Sequence, residues 1–149
     1  MAIYYFDTSA LLKRYVAEEG SAWVRATLQA AETDIIVSQL TIVEGVAALT
    51  RRDKGGAFRP GDAARVIQRL EDDFRQQFLV IDVNNRLIDK AVELARKRAL
   101  RGYDALQLAT ALVVRSLVAP EVVTFVAADN ELNAAATLEG LPSINPTAT

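Results

Sequence analysis

The chain of 149 residues contains no histidine and no cysteine. Without them it cannot form an imidazole-based catalytic triad, a thiolate nucleophile or a Cys/His zinc site. The absence of cysteine also agrees with a reducing compartment, so we expect a cytoplasmic protein. Any chemistry is therefore expected to come from carboxylates, which can hold a hard metal ion.

Glycine and proline are also scarce, at 7 and 4 residues, and no apolar run is long enough to cross a membrane. The apolar stretch at 106–118 is short and contains Arg115, so we predict a core helix there. With 51% hydrophobic and 24% charged residues, the composition is typical of an ordered globular protein. We expect one domain over residues 1–144, followed by a frayed tail over residues 145–149.

Short runs rich in Ile, Val, Phe and Tyr alternate with longer segments of helical periodicity. The short runs predict β-strands at 3–6, 35–38, 78–83 and 122–127, with a fifth at 142–144. The helical segments are 9–17, 21–31, 40–52, 61–76, 86–99, 103–118 and 130–139. This alternation predicts a three-layer α/β/α sandwich with a mostly parallel central sheet of four to five strands.

Four carboxylates lie within apolar runs: Asp7 in IYYFDTSALL, Glu44 in LTIVEGVAAL, Asp104 in GYDALQLATAL and Asp129 in TFVAADNEL. Burying an unpaired carboxylate is costly, so acids in such surroundings need a compensating charge. Asp7 and Asp129 follow predicted parallel strands and should lie at the same edge of the sheet, where ligands bind. We predict that these four residues, called here the acidic cluster, converge on a Mg²⁺ or Mn²⁺ ion and are both its ligands and the catalytic groups.

Each acid also has a purely structural interpretation. Asp7 and Asp129 are suitable helix N-caps, and Asp104 near a helix start would interact favourably with the helix dipole. Glu44 would then be one member of a buried ion pair. These alternatives apply to each residue singly, whereas a metal site accounts for all four at once.

The same segments resemble the PIN-domain ribonucleases over nearly the whole chain. The resemblance rests on YFDTSALLKRY, VEGVAAL, YDALQLATAL and FVAADNELNAAATLEGL, which follow the family's order and spacing. The compact size is similar to the VapC-type toxins of toxin–antitoxin pairs. In that pattern Asp7 and Asp104 match the principal metal-holding acids, and Glu44 and Asp129 match the other two.

The resemblance implies a Mg²⁺- or Mn²⁺-dependent endoribonuclease that acts on RNA, binds a cognate antitoxin protein and forms a homodimer. Thr8 and Ser9 match the small hydroxyl residues after the first acid, where either would hold a water on the metal. Gln107 stands where many relatives have histidine, which implies altered hydrogen bonding without loss of a metal ligand. For the partner contacts we expect an apolar surface on the helix at 21–31, formed by Trp23, Val24 and Leu28.

The net charge of −2 neither supports nor excludes an RNA ligand. Basic residues cluster in three places, where they would either contact phosphates or form a solvated helix face. The clusters are Lys13 and Arg14; Arg51, Arg52 and Lys54; and Arg96, Lys97, Arg98 and Arg101.

Two other functions remain as alternatives. One is a catalytically inactive PIN-like module that only binds a partner. The other is a phosphotransfer protein with an aspartyl phosphate at Asp7, which is disfavoured because Ser9 stands where a second aspartate is needed and no lysine follows Lys97.

Overall fold

Five parallel strands form the centre of the protein, in the spatial order β3-β2-β1-β4-β5. The computed structural model describes residues 1–148, and the strands are β1 (Ala2–Phe6), β2 (Thr33–Ser38), β3 (Leu79–Ile81), β4 (Val123–Val126) and β5 (Ser143–Ile144). The chain builds outward from β1 to β3 on one side and then continues with β4 and β5 on the other. This order creates a topological switch point at the carboxyl ends of β1 and β4, where open α/β sheets bind their ligands.

Within residues 1–148, seven α-helices cover the two faces of the sheet. They are α1 (Thr8–Leu11), α2 (Ser21–Gln29), α3 (Leu40–Lys54), α4 (Asp62–Gln76), α5 (Asn85–Arg98), α6 (Gly102–Val118) and α7 (Asn130–Leu138). Side chains alternate along β1, so Tyr5 enters a core with α5, α6 and α7, whereas Phe6 enters a core with α1 to α4. The predicted three-layer α/β/α sandwich with a parallel sheet is confirmed.

The predicted helix at 9–17 is wrong in its length. Helix α1 ends at Leu11, and one turn of 3-10 helix follows at Leu12–Arg14. The Ser21 hydroxyl donates to the Val16 carbonyl at 3.0 Å and accepts from the Glu18 amide at 3.0 Å. These side-chain bonds fold the segment into a turn, because they occupy backbone groups that a continuing helix would use.

The apolar residues of α2 do not form the exposed surface that the sequence suggested. Val24 is fully buried, and Trp23 packs edge-on against Tyr4 at 6.2 Å between ring centroids. Leu28 also packs against the same core. The apolar face of α2 therefore packs mainly against the sheet, with Trp23 and Leu28 half-buried.

Part of the predicted frayed tail is ordered. Residues Pro146–Ala148 form a turn of 3-10 helix against the start of α2, while Thr149 lies outside the described residues. Gly20 is required at this contact because its φ is +88° and an added Cβ would lie 3.0 Å from the Cβ and carbonyl oxygen of Pro146. Over the described residues 1–148, no helix is long and apolar enough to cross a membrane.

Candidate active site

The acidic cluster is built around the carboxyl ends of β1 and β4. The amide of Asp7 donates to the Val126 carbonyl at 2.9 Å, so the β1–β4 ladder continues as far as Asp7. Asp129 lies three residues beyond the end of β4 and begins α7. The structure thus places these two acids at the same edge of the sheet, as the parallel strands predicted.

Asp7 is the most buried member of the acidic cluster, with 5% of its surface exposed. Its Oδ2 caps α1 by accepting from the Ser9 amide at 3.1 Å and also accepts from the Ser9 hydroxyl at 2.5 Å. Burial raises the pKa of Asp7 to about 7, and Glu44 and Asp104 add to the rise, although the two Ser9 hydrogen bonds oppose it. Capping alone does not compensate for the cost of ionising this carboxylate.

Ser9 connects the two loops that form the site. Its hydroxyl donates to Asp7 and accepts from the Ala128 amide at 3.0 Å, in the segment between β4 and α7. This oxygen therefore fixes the position of the Asp7 carboxylate relative to the loop that carries Asp129. The sequence identified Ser9 through its place after Asp7, but the contact with Ala128 has no local sequence signal.

Glu44 lies in the second turn of α3 and is bound by neutral donors. Its Oε1 accepts from the Thr8 hydroxyl at 2.8 Å and from the Gln107 side-chain amide at 2.9 Å. Among the described residues, no lysine or arginine forms a salt bridge with Glu44. The ion-pair interpretation of Glu44 is therefore not supported.

Gln107 lies beneath the acidic cluster on α6, with 1% of its surface exposed. Its carbonyl oxygen accepts from the Tyr5 hydroxyl at 2.6 Å, and its NH₂ group lies within 3.0 Å of the Thr41 hydroxyl. Sequence reasoning did not include Tyr5 or Thr41 in the site. The available signal was a single side-chain amide within the largely apolar, buried run of α6.

Asp104 and Asp129 occupy the starts of two neighbouring helices. Asp104 lies in the first turn of α6, where burial raises its pKa, as do Asp129 and Glu44, and Arg101 partly opposes the rise. Asp129 caps α7, because its Oδ1 accepts from the Glu131 and Leu132 amides at 2.9 and 3.1 Å. The structural interpretations of Asp7, Asp104 and Asp129 are thus correct, and they coexist with mutual electrostatic repulsion within the acidic cluster.

The free oxygens of the carboxylates bear on whether a cation would fit. Asp7, Glu44 and Asp129 each use one oxygen for the hydrogen bonds above, and within residues 1–148 the other oxygen has no hydrogen-bond partner. In the described part of the chain, Asn133 Oδ1 is the only fully buried side-chain polar atom that has no hydrogen-bond partner. The second oxygens of the three carboxylates are therefore not fully buried.

The four acids do not form a ready-made metal cage. In the part of the chain that the structure describes, no three acidic side chains are grouped closely enough to hold one ion. Mg²⁺ usually takes only one or two carboxylates together with waters and substrate phosphates. The donor set therefore fits a cation that is held by few protein ligands, and the four-ligand site remains a prediction.

Several basic residues that the sequence offered for phosphate contact are already paired. Lys97 and Arg98 bind the Glu139 carboxylate at 3.0 and 2.5 Å, and Lys13 is buried against Glu18 at 3.1 Å. Arg52 also approaches Glu18, at 3.6 Å. The described salt bridges leave Arg14, Arg51, Lys54, Arg96 and Arg101 unpaired.

Comparison with known proteins identifies relatives over most of the chain. The family model of the PIN domain matches residues 4–138. Ribonuclease VapC45 and ribonuclease VapC49, both from Mycobacterium tuberculosis, are each 32% identical over 114 residues, which covers 76% of this chain and 78% of theirs.

Two solved structures have a similar fold. A toxin–antitoxin complex from Klebsiella pneumoniae gives a TM-score of 0.64 at 20% identity and covers 98% of both chains. The VapBC2 complex from Rickettsia felis, bound to a promoter DNA fragment, gives 0.64 at 16% identity over 96% of this chain and 98% of that one.

Proposed function

Because the chain belongs to the PIN-domain family, we propose that it is a Mg²⁺- or Mn²⁺-dependent endoribonuclease and the toxin of a type II toxin–antitoxin pair. The observation that carries this proposal is the buried Asp7 carboxylate, which has no salt bridge within residues 1–148 and is repelled by Glu44 and Asp104. Repulsion among these carboxylates costs stability in the metal-free protein, and a bound cation would neutralise it.

The side chains of the site would have different roles in the reaction. Asp7 and Asp104 would hold the cation directly, and Glu44 and Asp129 would complete its surroundings directly or through waters. A divalent cation there would lower the pKa of a water and neutralise charge on the scissile phosphate. Ser9 holds Asp7 in place, and the unbound oxygens of Glu44 and Asp129 are available to orient a water for attack. Attack by water would leave a 5′-phosphate and a 3′-hydroxyl.

The RNA would be positioned by the unpaired basic residues beside the acidic cluster. Arg101 is exposed, directly precedes α6 and is close enough to Asp104 to influence its pKa. Contacts from such a residue to phosphates would position the RNA without specifying its sequence. Lys97 and Arg98 are excluded from this role because they hold Glu139.

The antitoxin would bind in the groove between α5 and α6. Ile88, Val92 and Tyr103 line this groove and are largely exposed, and Tyr103 directly precedes Asp104. A peptide with apolar residues for the groove and a basic side chain for the acidic cluster would complement both surfaces. Its positive charge would inhibit cleavage by replacing the cation. We also propose a homodimer and a cytoplasmic location.

The experiment is cleavage of a labelled single-stranded RNA by the purified chain. We expect products with Mg²⁺ or Mn²⁺ and none in excess EDTA, with activity restored when the metal is returned. Mass spectrometry of the products checks for the 5′-phosphate. Undiminished cleavage in excess chelator, by protein shown to be metal-free, would exclude the mechanism.

A further inference from the structure

A continuous line of hydrogen bonds, beginning at the buried Tyr5, runs from the middle of the sheet to the acidic cluster. Tyr5, with no exposed surface, donates its hydroxyl proton to Gln107 Oε1 at 2.6 Å. Gln107 Nε2 in turn donates to Glu44 Oε1 at 2.9 Å. Three side chains from β1, α6 and α3 are thereby connected, although 63 and 102 residues separate the bonded pairs along the chain.

The orientation of the Gln107 amide follows from the charge of Glu44. An ionised carboxylate only accepts hydrogen bonds, so the NH₂ group must face Glu44 and the carbonyl must face away. The Tyr5 hydroxyl lies on the carbonyl side and therefore donates. If the amide were flipped, two oxygens would face each other at 2.9 Å and the NH₂ group would have to use the Tyr5 hydroxyl as an acceptor.

We propose that Gln107, oriented by Tyr5, is a positioning residue for Glu44 in the RNA cleavage reaction. This inference rests on the proposed function. Gln107 and Thr8 both donate to Oε1, which fixes the carboxylate and leaves Oε2 to face the cation or its waters. Partners behind a metal-binding carboxylate orient it in this way, and their removal typically weakens metal binding about 10- to 100-fold.

A purely structural role would have a different signature. The same hydrogen bonds also satisfy buried polar groups, so their loss lowers stability whether or not Glu44 acts on a metal. A positioning residue acts through Glu44, so its substitution has no further effect on metal affinity once Glu44 has been removed. The two roles are therefore distinguished by whether the substitution changes metal affinity in the Glu44→Ala background, and not by its effect on stability.

The experiment measures Mn²⁺ affinity by calorimetry in the absence of RNA. Gln107→Met keeps the length of the side chain but cannot donate, and we expect about 10- to 100-fold weaker binding. Tyr5→Phe keeps the ring that stacks on Phe125 at 5.8 Å, removes only the hydroxyl, and should weaken binding about 3- to 10-fold. Both changes should have no effect on Mn²⁺ affinity in a Glu44→Ala background.

Tyr15→Phe is the matched control. It also removes a buried hydroxyl that donates to an acid, Asp73, at 2.5 Å, but in the core formed by α1 to α4. We expect this variant to bind Mn²⁺ and cleave RNA like the wild type. Thermal melts without metal identify any variant that fails to fold, and Tyr5→Phe then tests the proposal without Gln107→Met.

The outcomes separate this inference from the proposed function. If the wild type cleaves RNA with metal but Gln107→Met and Tyr5→Phe bind Mn²⁺ normally, the positioning role is wrong and the nuclease stands. Weakening that persists at full size in the Glu44→Ala background would also overturn it. If the wild type binds Mn²⁺ with the expected dependence on Gln107 but cleaves no RNA, the nuclease activity is wrong, and Gln107 positions Glu44 for metal binding but not for RNA cleavage. A wild type that binds no Mn²⁺ overturns both.

Discussion

Replacing Asp7 with asparagine removes a charge while preserving the shape and most contacts of the residue. Asparagine and aspartate are equally good helix N-caps, and the asparagine carbonyl can still accept from the Ser9 amide. The variant therefore tests the ionisation of Asp7 and little else. We expect it to lose RNA cleavage by orders of magnitude and to become more stable than the wild type when no metal is present.

The size of the gain follows from the pKa of Asp7, which burial, with help from Glu44 and Asp104, raises from 3.8 to about 7. At about 1.36 kcal/mol per pKa unit, ionising Asp7 in the folded metal-free protein costs about 4 kcal/mol. Below about pH 4 the carboxyl group is neutral in both states, so there is no cost. Between about pH 4 and pH 7 the unfolded chain loses its proton first, and wild-type stability falls until the full cost is reached above about pH 7.

The assay is urea unfolding in EDTA from about pH 4 to pH 8, followed by circular dichroism. The two proteins should have similar stability near pH 4, and the advantage of Asp7→Asn should grow to at most about 4 kcal/mol near pH 8. Asp73→Asn is the matched control, because Asp73 is another buried acid but accepts from Tyr15 outside the acidic cluster. We expect it to lose about 1 kcal/mol and to keep its activity.

Two results would refute this reasoning. If Asp7→Asn unfolds at much lower urea concentration than the wild type near pH 8, Asp7 is a structural acid whose loss costs stability. If the difference between the two proteins does not change with pH, the carboxyl group is not titrating as its burial requires.

Three further predictions follow from the same site. Asp104→Asn should abolish cleavage without lowering the melting temperature in EDTA at neutral pH, and a strongly lowered melting temperature would contradict this. The reason is that burial and nearby acids raise the pKa of Asp104, and within residues 1–148 no hydrogen bond holds its side chain. Ser9→Ala should lower the stability by about 1 to 2 kcal/mol and shift the acidic limb of the pH–rate profile to higher pH, because the Ser9 hydrogen bonds lower the pKa of Asp7. An unshifted profile would count against this prediction. Sedimentation should show a homodimer, and Tyr103→Ala should weaken capture of a small basic antitoxin from the native host without lowering RNA cleavage. A strictly monomeric chain that recovers no small partner would contradict both partner proposals.

Much of the fold could be predicted because periodicity and composition are local signals. Strands β1 and β2 lie where the sequence placed them and end at the predicted residues, although they begin one and two residues earlier. The PIN-domain resemblance drawn from the four motifs is confirmed by the family match. The early end of α1 was missed because Ser21, ten residues further along, makes the competing hydrogen bonds. Likewise, periodicity located the apolar stripe of α2 but could not show that it faces the sheet.

The acidic residues of the candidate site could be predicted from the sequence, but the hydrogen bonds that position them could not. Residues that follow parallel strands must meet at one edge, so Asp7 and Asp129 could be placed from order alone. The bonds from Tyr5 to Gln107 and from Ser9 to Ala128 join residues 102 and 119 positions apart, so no sequence window contains them. The salt bridges of Lys97 and Arg98 with Glu139 could not be predicted for the same reason, because the partners are far apart along the chain.

The acidic residues show that a structural role and a functional role can share one side chain. Asp7, Glu44 and Asp129 each give one oxygen to donors of the protein, which fixes the direction of the second oxygen. For Asp7 and Asp129, capping is therefore part of the preorganisation, because a carboxylate held by its own helix loses little further entropy when it binds a cation. In an asparagine variant, the carbonyl would take the cap and the NH₂ group would occupy the position of the free oxygen. That substitution would place a hydrogen-bond donor where a cation is expected, so it would preserve the helix and exclude the metal.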